Sequence, residues 1–209
     1  MRSVEAQKKL LNLNQPIITT IDAAACLNCN VTTASKMLER LVGSKIITKI
    51  KRGLWAISDP IDPLILPGYL TSPLPCYISL QTALFYHGMM EQVPETIYAV
   101  SLGRTKKYHT TFGHISIHHM NVDFFFGFDV VENTYIKLAS PEKALLDFLY
   151  LYPVRSELFK ALPELEISEN FDQQKAFAML NQIKPISRHN MVKKQLINIL
   201  GNHSDPKSV

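Results

Sequence analysis

Apolar residues recur at spacings of three and four in several separate stretches of this chain, and short β-branched runs lie between them. Val4, Leu10, Leu11 and Leu13 make one side of a first helix, which Ser3 can cap and Pro16 ends. Ile17-Ile18-Thr19 reads as extended. Thr19 or Thr20 then caps a short helix over residues 21–26, with Asp22 favourable in its first turn, and Leu27-Asn28-Cys29 is a turn. Asn30 caps the next helix. There Val31, Ala34, Leu38 and Leu41 share a buried stripe, and Gly43 suits the left-handed position that closes it. Residues 46–50 and 54–57 follow as strands joined by Lys51-Arg52-Gly53, the glycine supplying the backbone angles of the turn. Helix, helix, turn, helix and hairpin in that order predict a winged helix-turn-helix over residues 1–58.

Residues 59–76 are proline-rich and read as a linker or extended strap, neither helix nor central strand. A second domain is expected over residues 77–201. Ser79 caps a helix over 80–87 that Gly88 terminates, and 97–102 is a strand. Residues 103–107 are a polar loop, and 112–118, 124–128 and 135–139 are further strands. Ser140-Pro141-Glu142 opens a helix with a capping hydroxyl, a first-turn proline and a first-turn carboxylate. That helix carries Ala144, Leu145, Phe148, Leu149 and Leu151 inward. Helices around 155–162, 172–183 and 187–200 come next, and 202–209 is a flexible tail. The fold class is α+β: an N-terminal winged helix-turn-helix followed by a mixed α+β domain.

With 46% hydrophobic and 19% charged residues, the 209-residue chain can form packed cores. Its net charge of +4 is unevenly placed: residues 1–58 hold nine basic and three acidic side chains, a net +6, and the remainder carries −2. A positive field confined to the predicted winged helix favours an anionic polymer as partner. Three cysteines make no disulfide framework. Charges interrupt residues 4–13, unlike a secretory signal, and no uncharged apolar run reaches the roughly 18 residues that span a bilayer. A cytoplasmic protein without a membrane partner is expected.

With the apolar stripe of residues 31–43 turned inward, Thr32, Thr33, Ser35, Lys36, Glu39 and Arg40 face outward. Short hydroxyl side chains let the backbone approach base edges, while Lys36 and Arg40 reach further. Glu39 either accepts from a cytosine amine or pairs with Lys36 or Arg40. Lys49, Lys51 and Arg52 near the hairpin tip suit phosphate contacts. Double-stranded DNA is thus the expected partner, read by Thr32, Thr33, Ser35, Lys36 and Arg40 and held by Lys49, Lys51 and Arg52. Five to six phosphate contacts predict a slope of about −5 for log affinity against log salt.

Five stretches resemble AbiEi-type antitoxins of bacterial type IV toxin–antitoxin systems. They are Thr19-Thr20-Ile21-Asp22-Ala23, Thr33-Ala34-Ser35-Lys36-Met37-Leu38-Glu39-Arg40-Leu41, Ile50-Lys51-Arg52-Gly53-Leu54-Trp55, Tyr77-Ile78-Ser79-Leu80-Gln81-Thr82-Ala83-Leu84 and Leu138-Ala139-Ser140-Pro141-Glu142-Lys143-Ala144-Leu145-Leu146-Asp147. The likeness covers most of residues 4–151. It implies a phage-defence transcription regulator that binds repeats in its own promoter and represses its operon. It further implies that the second domain counters a neighbouring nucleotidyltransferase toxin without a stable complex. The alternative is a stand-alone regulator whose second domain senses a ligand or a protein.

The remaining candidates favour structure over chemistry. Cys26 and Cys29 form a lone C-x-x-C and read as packing thiols, and Cys76 is isolated. His109, His114, His118 and His119 cluster in sequence; on a strand His114 and His118 would share a face, yet polar surface positions explain them better than zinc. Glu142 and Lys143, with Asp123 or Asp129 upstream, superficially match a metal-dependent nuclease, but helix capping accounts for Ser140, Pro141 and Glu142. Arg104, Lys106 and Lys107 read as a solvated loop, Phe124-Phe125-Phe126 as a core strand. No enzymatic activity, cofactor or metal is expected.

Overall fold

The computed structural model describes residues 3–58, 60–152 and 165–202. The fold is mixed α+β and divides into two units, one of residues 1–63 with His109–Gly113, the other of Leu64–Tyr108 and the residues from His114 onward.

The first unit runs α1 (Ser3–Leu11), β1 (Ile17–Thr19), α2 (Thr20–Leu27), α3 (Val31–Gly43), β2 (Thr48–Lys51) and β3 (Leu54–Ala56). Its three strands form an antiparallel sheet in the order β1-β3-β2, with Ile17 and Thr48 on either side of Ala56. Leu10 of α1, Ala23 and Leu27 of α2, and Ala34, Leu38 and Leu41 of α3 close over Ile18, Ile47 and Trp55. Trp55 Nε1 donates to Thr20 Oγ1 at 2.9 Å, so the polar atom of this buried ring is satisfied and β3 is tied to the start of α2.

Two expectations for α3 are corrected. Val31 is not in the buried stripe: it is 51% exposed, and Met37 is buried instead. Helical side chains lean toward the N-terminus, so a residue on the first turn projects past the elements that cover the rest of its stripe. Nor does Gly43 take the left-handed position. The helix includes Gly43, and Lys45 carries the positive φ of 55°. The amide of Lys45 donates to the Val42 carbonyl at 2.8 Å and that of Ile46 to Leu41 at 2.9 Å, a Schellman closure with Ile46 packed on the core.

Within the proline-rich stretch, residues 63–71 are not extended. Pro63–Ile65 is a 3-10 turn leading into α4 (Leu66–Thr71), with Leu66 and Leu70 buried. Pro67 lies in the first turn, where its missing N–H breaks no helical bond. Cys76 opens β4 (Cys76–Ile78), an interior strand. The elements that follow are α5 (Leu80–Tyr86), β5 (Thr96–Ser101), β6 (Lys106–Thr110), β7 (Gly113–His119), β8 (Phe128–Val130), β9 (Lys137–Ala139), α6 (Pro141–Leu151), α7 (Gln173–Leu180) and α8 (Ile186–Asn202). The six-stranded sheet has the order β6-β7-β5-β4-β9-β8; β4 runs antiparallel to β5 and parallel to β9, and β5 runs parallel to β7. Leu84, Leu145, Phe148 and Leu149 meet Val192 and Leu196 in its core.

The polar loop expected at 103–107 gives way to strand β6 at the sheet edge, beginning at Lys106. The phenylalanine run is not a strand. Val122–Phe124 is a 3-10 turn and Phe128 opens β8, with Gly127 between them at φ 75°. A Cβ on Gly127 would lie 3.1 Å from Lys143 Cγ, so the backbone approaches α6 closely there. Ser79 stands at the N-cap of α5 without capping it, its hydroxyl being committed elsewhere. Ser140 does cap α6, accepting from the Lys143 amide. The helix expected at 155–162 lies outside the described residues, as does the expected tail beyond Asn202, which ends α8.

Candidate nucleic-acid interface

Two caps fix where α2 and α3 begin. Thr19 and Asp22 form a reciprocal capping box, Asp22 Oδ2 accepting from the Thr19 amide at 2.8 Å. Asn30 Oδ1 accepts from the Thr33 amide at 2.8 Å. Asn28 adopts φ 51° between the two helices, and the Cys29 amide returns to the Ala24 carbonyl at 3.0 Å, giving a compact turn. Cys26 and Cys29 pack against the core beside it, with Cys26 Sγ donating to the Lys9 carbonyl.

The outer face of α3 then follows from its period. Thr32, Thr33, Lys36, Glu39 and Arg40 are exposed and Ser35 is half-buried. At the hairpin turn Arg52 is exposed and Lys51 half-buried, and Gly53 has the positive φ of 83° that the turn requires. Lys49 differs from its neighbours. Its Nζ lies 2.5 Å from Glu39 Oε1 and 5.2 Å from the centroid of the Trp55 ring. Glu39 thus pairs across to β2, with neither Lys36 nor Arg40 as its partner, and the pair links α3 to the hairpin. The sequence could not show this, because ten residues and a change of element separate the two charges.

The other candidates fall in the second unit. Glu142 is buried; its carboxylate accepts from Ser140 Oγ at 2.6 Å, the Asp172 amide at 3.1 Å and Lys175 Nζ at 2.9 Å. Burial alone would raise its pKa, but these donors hold it below the usual value. Lys143 and Asp147, one helical turn apart in α6, form an ion pair that is fully buried. Asp147 Oδ2 also accepts from Tyr77 Oη at 2.9 Å and Ser79 Oγ at 2.8 Å. Lys143 Nζ sits 3.8 Å from the Phe124 centroid. Burial lowers the Lys143 pKa and raises that of Asp147, each opposed by the charge of the other. Asp123 pairs with Lys184 at 2.8 Å, and Asp129 is exposed on β8. Among the described residues no three His, Cys, Asp or Glu side chains converge as a metal site would require.

His118 is buried and its Nε2 lies 3.0 Å from Ser116 Oγ, correcting the expectation of a polar surface position; His114 is exposed. Burial, reinforced by Lys107, lowers the His118 pKa from 6.5 to about 4. Between those values the unfolded chain holds a proton that the folded chain lacks, so acidification favours unfolding. Stability contributed by His118 is complete above pH 6.5 and falls by about 3 kcal/mol as pH drops through about 4. Urea unfolding at pH 7 and pH 4.5 checks this: the fall should be smaller in His118→Gln.

No protein-family model and no curated protein matches this chain. Among the described residues no helix is long and apolar enough to cross a membrane.

Proposed function

We propose that the first unit is a winged helix-turn-helix that binds duplex DNA, and that the chain is a sequence-specific autorepressor with antitoxin activity toward a nucleotidyltransferase toxin. One observation carries the DNA reading: Thr32, Thr33, Lys36 and Arg40 stand exposed on one helix whose far side is sealed in a core, beside a hairpin turn that exposes Arg52. α3 would lie in the major groove and the hairpin on flanking phosphates. The antitoxin half rests on the family resemblance over residues 4–151. Glu142 and Lys143 have all-internal partners, which argues against the nuclease alternative.

Fluorescence anisotropy of the full chain with the DNA upstream of its own operon tests the first half. Binding that a random duplex does not match supports it; equal affinity for both sinks it. Replacing Lys51 and Arg52 together with Ala should weaken every duplex similarly and flatten the salt slope by about two units, at roughly −0.9 per phosphate. Co-expression with the neighbouring nucleotidyltransferase tests the second half, growth rescue being the expected result.

The Glu39–Lys49 pair changes what Lys49 does in this reading. Its ammonium is neutralised from within, so it acts as a strut between helix and hairpin more than as a phosphate grip. Glu39→Gln would release it. The expected result is tighter binding to random DNA and a salt slope steeper by about one unit. A slope unchanged from wild type would return Lys49 to the phosphate contacts.

A further inference from the structure

Val31 is a 51%-exposed aliphatic side chain on the first turn of α3. Val31, Ser35 and Glu39 follow one another at four-residue spacing and so share one edge of the helix. Glu39 at the far end of that edge is tied to Lys49, which fixes how the edge stands toward the hairpin. Thr32 and Ser35, the hydroxyl residues nearest Val31 on the helix surface, border it on that side, and the surrounding segment is the positively charged part of the chain. An aliphatic group set among short hydroxyls and cations has a natural partner in the major groove. Thymine presents a C5-methyl group there, the one apolar feature among the base edges.

We infer that Val31 is a specificity-determining residue that packs against the methyl group of a thymine in the bound site. This rests on the DNA reading above and adds a base identity to it. The neighbouring hydroxyls of Thr32 and Ser35 then meet polar edges or phosphates, and the first turn of α3 is the part of the helix that approaches bases most closely.

The test uses the full-length chain and a duplex selected by it from a random-sequence pool. Each thymine of the selected site is replaced in turn by deoxyuridine, which removes the methyl group and leaves every hydrogen-bonding edge intact. Wild type should lose affinity about fourfold at one thymine for each copy of α3 bound, the loss expected for one buried methyl. In Val31→Ala the thymine and deoxyuridine duplexes should bind equally at that position. Val31→Asn, of similar size but polar and without a methyl group, should also lose the preference. Ile21→Ala, which alters a side chain 69% exposed on α2, should keep it. Selection that yields no preferred duplex overturns both this inference and the DNA reading. A preferred duplex with no methyl-sensitive thymine, or one whose sensitivity survives in Val31→Ala, overturns this inference alone.

Discussion

A chain carrying Asp147→Ala is expected to lose about 3–5 kcal/mol of unfolding free energy in its second unit, the usual cost of removing one partner of a buried ion pair. Three donors end on this carboxylate: Lys143 Nζ, Tyr77 Oη at 2.9 Å and Ser79 Oγ at 2.8 Å. Its removal strands an ammonium that is itself fully buried, and two hydroxyls each costing about 1–3 kcal/mol when left unpaired. The rings of Phe124 and Phe126, 3.8 and 5.3 Å from the ammonium, return only about 2 kcal/mol. Asp147→Asn combined with Lys143→Met keeps acceptors for both hydroxyls and removes the buried cation, so it should recover most of the loss. Denaturant unfolding followed by far-ultraviolet dichroism measures both chains. A fall below about 1 kcal/mol in Asp147→Ala would mean that the pair does not hold β4 to α6.

Trp55→Ala is expected to cost the first unit about 3–5 kcal/mol, the range for emptying a buried aromatic site. Trp55 is 1% exposed among side chains from α1, α2 and α3, and its Nε1 is the partner of Thr20 Oγ1. Truncation opens a cavity where the three helices meet the sheet and leaves the Thr20 hydroxyl unpaired. Trp55→Phe retains much of the apolar surface and should cost clearly less, with the lost hydrogen bond contributing about 1 kcal/mol. Trp55 is the single tryptophan of the chain, so tryptophan emission, excited outside the tyrosine band, reports on this unit alone. Hydrogen exchange of α2 and α3 amides compares the variants; equal protection in Trp55→Ala and wild type would remove Trp55 from its place as the keystone of this core.

Much of the local structure of the first unit is legible in its sequence. Caps and stops are local chemistry: Asn30 in front of α3, the Thr19–Asp22 box and the Arg52-Gly53 turn all follow from neighbouring residues. What escaped the sequence depends on what lies across space. Val31 has the right period for the buried stripe and lacks a cover. Glu39 had two plausible cations on its own helix and takes one from β2. In the second unit, Lys143 and Asp147 look like an ordinary exposed pair one turn apart, since nothing local reveals that Tyr77 arrives from β4 and Ser79 from the start of α5. The prolines of 59–76 argued against regular structure, yet Pro67 occupies the first turn that tolerates it. β6 is hidden in the sequence because Lys106, Lys107 and His109 are all exposed and leave no alternation to detect.

The position of β4 in its sheet bears on how the chain emerges during synthesis. Ile78 lies beside Leu138, and Tyr77 waits for the acid at 147, whereas Cys76 finds Ser101 much sooner. At roughly 5–20 residues per second, the strand is born about 3–12 seconds before its second neighbour leaves the ribosome. For that interval one flank of the strand is sticky and unclosed, which is when a nascent-chain chaperone would have the most to hold.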